Sequence, residues 1–181
     1  MKKLLPTIGC CGIDCGLCPR FYTSGKSRCP GCGGEEFDSK HPPCSYITCC
    51  VKKHGLEVCS QCDEFPCPKF KDKPKIERDS FVTHKRIFNN HQTIKALGLR
   101  NYLIEQNERV TLLQDMLTGF DDGRSKSFYC LAAALLPPKD IRGAIDQAKA
   151  AESDIKSRAK ALKAAVARAA EINGVVLALE K

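Results

Sequence analysis

Thirteen of the 181 residues are cysteine, and twelve of these lie between Cys10 and Cys67. In order they are the adjacent pair Cys10 and Cys11, then Cys15, Cys18, Cys29, Cys32 and Cys44, a second adjacent pair Cys49 and Cys50, and finally Cys59, Cys62 and Cys67. Cys15/Cys18, Cys29/Cys32 and Cys59/Cys62 are C-x-x-C units. Two residues between ligands let a tight turn aim both thiolates at one ion, and Gly or Pro inside the turn lets the backbone wrap it. Cys29-Pro30-Gly31-Cys32-Gly33-Gly34 has that form, and with Cys15/Cys18 it gives C-x2-C-x10-C-x2-C, the spacing of a zinc ribbon. The chemistry this predicts is capture of soft metal ions by thiolate. Cys15, Cys18, Cys29 and Cys32 read as one ligand set, and Cys44, Cys49, Cys59 and Cys62 as another, with Cys67 as the substitute. Knuckles shared in alternation are the rival arrangement. Cys10 and Cys50 read as spare, because neighbouring side chains seldom both ligate one ion. Among the histidines, His54 is the reserve ligand, four residues after Cys50, while His41, His84 and His91 read as solvated or capping residues.

No apolar run approaches the ~18 residues of a membrane span, and the opening MKKLLPTIGCCGIDCG meets Pro6 and Gly9 before a signal-peptide core can develop. The expectation is a soluble, cytoplasmic chain without membrane contact, and in a reducing compartment dense cysteines point to metal before disulfides. Zinc, two or more ions, competes with an iron–sulfur cluster. Cys11-x3-Cys15-x2-Cys18 has the spacing of cluster ligands in radical enzymes using S-adenosylmethionine, but the chain has neither the length nor the strand and helix alternation for their barrel. Cys18-Pro19 and Cys67-Pro68 have the Cys-Pro form that ends a ferredoxin run. An electron carrier would set its cluster among apolar side chains and backbone amide donors, whereas a structural zinc site requires only the knuckles.

The order C-G-x-D-C-x-x-C-P (Cys11 to Pro19), C-x-G-C (Cys29 to Cys32), Cys44, Cys49, then C-x-x-C-x-x-x-P-C (Cys59 to Cys67) resembles a widespread prokaryotic family of small cysteine-rich proteins catalogued as a domain of unknown function. The stretch Asp122 to Cys130 also resembles one subgroup of it. The resemblance implies metal binding, often zinc, with no established reaction. The residues matching the family pattern, and so the implied ligands, are Cys11, Cys15, Cys18, Cys29, Cys32, Cys44, Cys49, Cys59, Cys62 and Cys67. Cys10 and Cys50 depart from it.

Composition divides the chain. Up to Lys75 lie twelve of the 13 Cys, eight of the ten Pro and no Ala, and all 16 Ala follow. The expected domains are a cysteine-rich metal-binding module at 1–75 and a helical domain at 76–181, joined by the charged KFKDKPKIERD stretch. The first half is poor in aliphatic residues, so metal must hold it, at roughly 10 kcal/mol or more for structural zinc. The fold class this predicts is α+β: a small irregular module of knuckles and short hairpins, followed by an all-α region. Short helices are expected at 82–90 and 93–97, an amphipathic one from Leu99 to Leu117 and an apolar one from Phe128 to Leu136. From Ile141, positions 145, 148, 152, 155, 159, 162, 166 and 169 step by four and three, predicting one long C-terminal helix with a heptad seam. Val175 to Leu179 is a candidate strand. A helix of ~32 residues would span ~48 Å, so the seam either packs within the chain or, overhanging it, makes a homodimer. Removal of metal is expected to unfold 10–67 alone.

The charge is +8, from 29 basic and 21 acidic side chains. Each ion held by four thiolates contributes about −2, which weakens the case for nucleic acid built on Lys52, Lys53, Lys69, Lys71, Lys73 and Lys75. No Ser/His/Asp set, phosphate-binding glycine loop or paired carboxylates beside a His appears, so the reading favours an interaction module with an unknown protein partner over an enzyme. Nucleic-acid binding and iron–sulfur redox chemistry are the alternatives. Arg124, Ser125, Lys126 and Ser127, at the start of a helix, form a candidate anion site, with a capped, solvated turn as the alternative.

Overall fold

The computed structural model describes residues 3–70, 78–150 and 154–180. They divide into two compact units, Met1–Gln106 with Leu179–Lys181, and Asn107–Ala178. The boundary expected at 75/76 lies outside the described residues.

The first unit begins with the cysteine-rich segment, built from single turns: 3-10 turns at Cys15–Leu17, Pro19–Tyr22, Gly25–Ser27, Cys59–Gln61 and Pro68–Phe70, with short helical pieces at Phe37–Lys40, Ser45–Ile47 and Thr48–Lys53. The expected hairpins are not there, and among the described residues there is no strand, so the α+β class is corrected to a helical one. The reason is local. Pro and Gly recur through the segment, and the backbone bonds close turns: Leu17 N–H to Asp14 O (3.0 Å), Cys18 N–H to Cys15 O (3.2 Å), Cys62 N–H to Cys59 O (3.0 Å). The strands of a zinc ribbon are absent with them. Residues 3–10 act as a thread to which distant turns are tied, through Lys3 N–H to Gly33 O, Cys32 N–H to Pro6 O, Gly16 N–H to Thr7 O and Cys59 N–H to Cys10 O, at 2.7–2.9 Å.

Two helices follow in this unit, α1 (Ile87–Leu97) and the first part of α2 (Leu99–Phe120), separated by Gly98 at φ 82°. α1 is one helix where two short ones were expected. Ile8, Val58, Ile94 and Tyr102 form a common core with Leu5, Leu99 and Leu103. The cysteine segment therefore shares one core with the helices and keeps a second of its own around Cys10, Cys32, Phe37, Ile47 and Cys50.

The second unit holds the rest of α2 with α3 (Lys126–Leu135), α4 (Pro138–Lys149) and α5 (Ile155–Ile172). The long C-terminal helix is thereby corrected to two. Asp154 has extended backbone (φ −82°, ψ 149°), and its carboxylate accepts from the amides of Lys156 (2.9 Å) and Ser157 (3.2 Å), so α5 starts there. The seam folds on itself: Ile141, Ala144, Ile145 and Ala148 of α4 and Ala159, Leu162, Val166 and Ala170 of α5 are buried. The overhang that suggested a second protomer does not arise. After α5, Gly174 turns the chain at φ 63°. Val175 to Leu179 forms no strand; the Val175 amide returns to Ala170 O at 2.8 Å. No helix among the described residues is long and apolar enough to cross a membrane.

Buried Arg109 closes the C-terminal end of α3, its Nη1 donating to the carbonyls of Ala133 (2.8 Å) and Leu136 (2.7 Å). These are orphan acceptors of a helix end. Arg109→Met should cost about 2 kcal/mol, read as a lower urea midpoint at unchanged slope.

Candidate metal centre

The cysteines are held in place by Asp14, the acidic residue of C-G-x-D-C, which is 3% exposed. Its carboxylate accepts from the Tyr102 hydroxyl, from Asn90 Nδ2 (2.9 Å) and from Gln106 Nε2 (3.0 Å), and pairs with Arg86 at 3.4 Å. Asn90 also donates to Gly12 O (2.8 Å), and Gln106 to Thr7 O (3.1 Å). Burial, followed by the Asp14 charge, pushes the Tyr102 hydroxyl well up, so it remains the donor. Gly12 takes φ 88°, and a Cβ there would lie 2.7 Å from His91 Nε2. Both backbone angle and space require glycine.

His91 on α1 is 1% exposed and packs tilted against Phe65 and edge-to-face with Phe70, at ring centroids of 4.6 and 5.2 Å. Neither ring nitrogen completes a hydrogen bond. Burial lowers its pKa to about 4, offset in part by the backbone of Cys11.

Backbone amides are aimed at several sulfurs: Ile13 at Cys11, Cys32 at Cys15, and Arg20 and Phe21 at Cys18. The Cys10 amide donates to Cys32 Sγ at 3.4 Å. Such donors favour thiolate over thiol. Burial works against them: it is the main cause that pushes Cys11 up to about 12, Cys15 well up and Cys18 up. The segment thus buries thiols while supplying donors for their anions.

The Cys29/Cys32 knuckle faces two ways. Cys29 Sγ lies 3.2 Å from His41 Nε2, with Cys18 as a further neighbour, while Cys32 Sγ lies 3.9 Å from Cys10 Sγ. Cys15 in turn has Cys32, Cys11 and Cys18 as neighbours, so Cys15, Cys18, Cys29 and Cys32 lie near one another, with Cys10 beside Cys32. Cys44 lines a cleft of about 210 Å³ with Phe37, His41 and Lys52. Cys49, Cys50, Cys59, Cys62 and Cys67 line a cavity of about 30 Å³ with His54. The sequence reading missed His41 and the burial of Cys10 and Cys50, at 1% and 3% exposed; the one signal for the latter was the doubled Cys.

Zinc–thiolate bonds of about 2.3 Å imply tetrahedral S···S edges of about 3.8 Å. Cys10 and Cys32 stand at that separation, and the donor set is soft throughout, so the residues fit a thiophilic metal. Among the described residues, however, no three Cys, His, Asp or Glu side chains already surround a common ion position.

Residues 7–72 match the family model of a protein of unknown function, DUF3795. The DUF3795 match takes in all of Cys10 to Cys67 together with Gly12 and Asp14. No curated protein and no solved structure matches the chain.

The second candidate site, Arg124 to Ser127, is engaged by the chain's own carboxylates. Asp121 accepts from the amides of Gly123 (3.0 Å) and Ser125 (3.3 Å), and Asp122 from the Arg124 amide (3.1 Å) and the Ser125 hydroxyl (2.6 Å). Ser125, then Lys163 at 3.0 Å, hold the Asp122 carboxyl far below the usual range. An external anion would have to displace them. Cys130 is a buried residue of α3, as its apolar helix implies.

Asp14→Ala should destabilise the first unit by about 3 kcal/mol, since it removes the shared acceptor of Tyr102, Asn90 and Gln106 and leaves Arg86 only its Glu105 partner; a denaturant titration of the single variant measures this. The His91 shift gives a pH dependence. Between pH 6.5 and about 4 the unfolded chain takes up a proton that folded His91 refuses. Its contribution to stability is complete above that range and is lost as pH falls through it, by at most about 1.4 kcal/mol per pH unit. The difference between wild type and His91→Phe should therefore vary with that slope below pH 6.5 and be flat above it.

Proposed function

We propose that the segment from Cys11 to Cys67 binds zinc, two or more ions, through the family-pattern cysteines, and serves as a metal-stabilised structural or interaction module and not as an enzyme. The observation that supports this best is the set of amide donors directed at Cys11, Cys15, Cys18 and Cys32. A buried thiol needs no such donors, whereas a metal-bound thiolate is stabilised by them. Cys49, Cys62 and Cys67 around a small cavity supply further soft donors, with His54 beside them. The partner in this reading is a protein. Of the lysine stripe that raised nucleic acid, Lys71, Lys73 and Lys75 lie outside the described residues.

One observation favours an iron–sulfur cluster as the second reading. Cys11, Cys59 and Cys67 pack against Phe65, Phe70, Ile13 and Ile87, so apolar side chains and amide donors occur together, the surroundings expected of an electron carrier. Anaerobic purification followed by metal and acid-labile sulfide analysis separates the two. A colourless protein with stoichiometric zinc is the expected result. A brown protein absorbing near ~400 nm, with iron and sulfide in equal amounts, would replace zinc by the cluster. Absence of any bound metal would overturn both.

A further inference from the structure

We propose that Cys10, Cys32, Cys50 and Cys59 close a four-thiolate centre for one soft divalent ion, with Lys3 as its buried counter-charge. The inference rests on the metal-binding reading and extends it to the two cysteines that lie outside the family pattern.

The four thiols form a string. Cys32 Sγ donates to Cys10 Sγ at 3.9 Å while the Cys10 amide donates to Cys32 Sγ at 3.4 Å. Cys10 is in turn within hydrogen-bonding reach of Cys50, and Cys50 of Cys59. Cys50 Sγ also donates to the Leu56 carbonyl at 3.2 Å, and the Cys59 amide donates to Cys10 O at 2.9 Å, so the backbone ties Cys59 to Cys10. All four sulfurs pack in one cluster with Phe37 and Ile47. A single buried thiol, such as Cys130, is ordinary packing. Four together, drawn from positions 10, 32, 50 and 59, are not, because each S–H is a weak donor and a poor reason to gather them. The Cys10–Cys32 separation of 3.9 Å is already near the ~3.8 Å edge of a tetrahedral thiolate site.

Lys3 supplies the second observation. It is 3% exposed, its Nζ donates to Ile8 O at 2.6 Å, and its charge acts on Cys10, Cys32 and Cys50. Lysine is almost never buried without an anion. A divalent ion with four thiolates carries about −2, of which Lys3 offsets half. Gly33, whose Cβ would lie 2.9 Å from Lys3 Cγ, leaves room for the stem.

The test is cadmium-113 NMR of the full-length protein loaded with cadmium alone, in which each cadmium is correlated with the β-protons of the cysteines that bind it. One signal correlated with Cys10, Cys32, Cys50 and Cys59 is expected. Cadmium correlated with other cysteines but with neither Cys10 nor Cys50 would overturn this inference and leave the metal-binding reading standing. Cadmium correlated with no cysteine would overturn both. In Lys3→Gln, that one signal should be lost first in a chelator titration, at about tenfold lower affinity, with the others unmoved; parallel loss of all signals, or no change, would overturn the part given to Lys3.

Discussion

A carboxylate buried at 3% exposure among side chains from two helices is the constraint on which the first unit depends. Asp14 sits between Cys11 and Cys15, so whatever holds Asp14 also holds the turn that presents them. Its partners Asn90, Tyr102 and Gln106 are 76 to 92 residues away in sequence. A buried carboxylate is tolerable only when fully paired, and the pairing dictates which faces of α1 and α2 turn inward. Those faces then receive Ile8 and Val58, so the apolar core and the polar hub specify the same arrangement.

The thiol layer adds a second constraint of opposite sign. Burial raises Cys11, Cys15 and Cys18, while amides of Ile13, Cys32, Arg20 and Phe21 stabilise their anions. Left as thiols, these residues waste the donors; as thiolates without an ion, they are buried unpaired charge. A bound soft cation resolves both. The second unit has no such conflict: its Ala- and Ile-rich faces bury one another, and its polar burial is confined to helix ends, as at Arg109.

What was legible in the sequence follows from what is local. The C-x-x-C turns and the three-and-four spacing in α2 and α3 depend on nearby residues, and both appear close to where the pattern puts them. The break between α4 and α5 was also written locally, since Asp154 precedes Ile155 as an N-cap; it was masked because the heptad step continues through Glu152. The Val175 to Leu179 strand failed because the chain turns back at Gly174 and Val175 bonds to the end of α5, which β-propensity alone does not reveal. Asp14 was illegible for another reason. A lone acidic residue between cysteines has no period, and its meaning lies in side chains more than 70 residues downstream. Cys10 was illegible in a like way, since its neighbours Cys32 and Cys59 are brought to it by the tied thread at residues 3–10.

Because Asp14 joins the cysteine turns to α1 and α2, metal and these helices should fold together, and not the cysteine segment alone as composition suggested. Amide hydrogen exchange of the full-length protein before and after chelation measures this directly. The expected result is that amides of Ile87–Leu97 lose protection in step with those of the cysteine turns. Full protection of that helix after the turns have opened would contradict it.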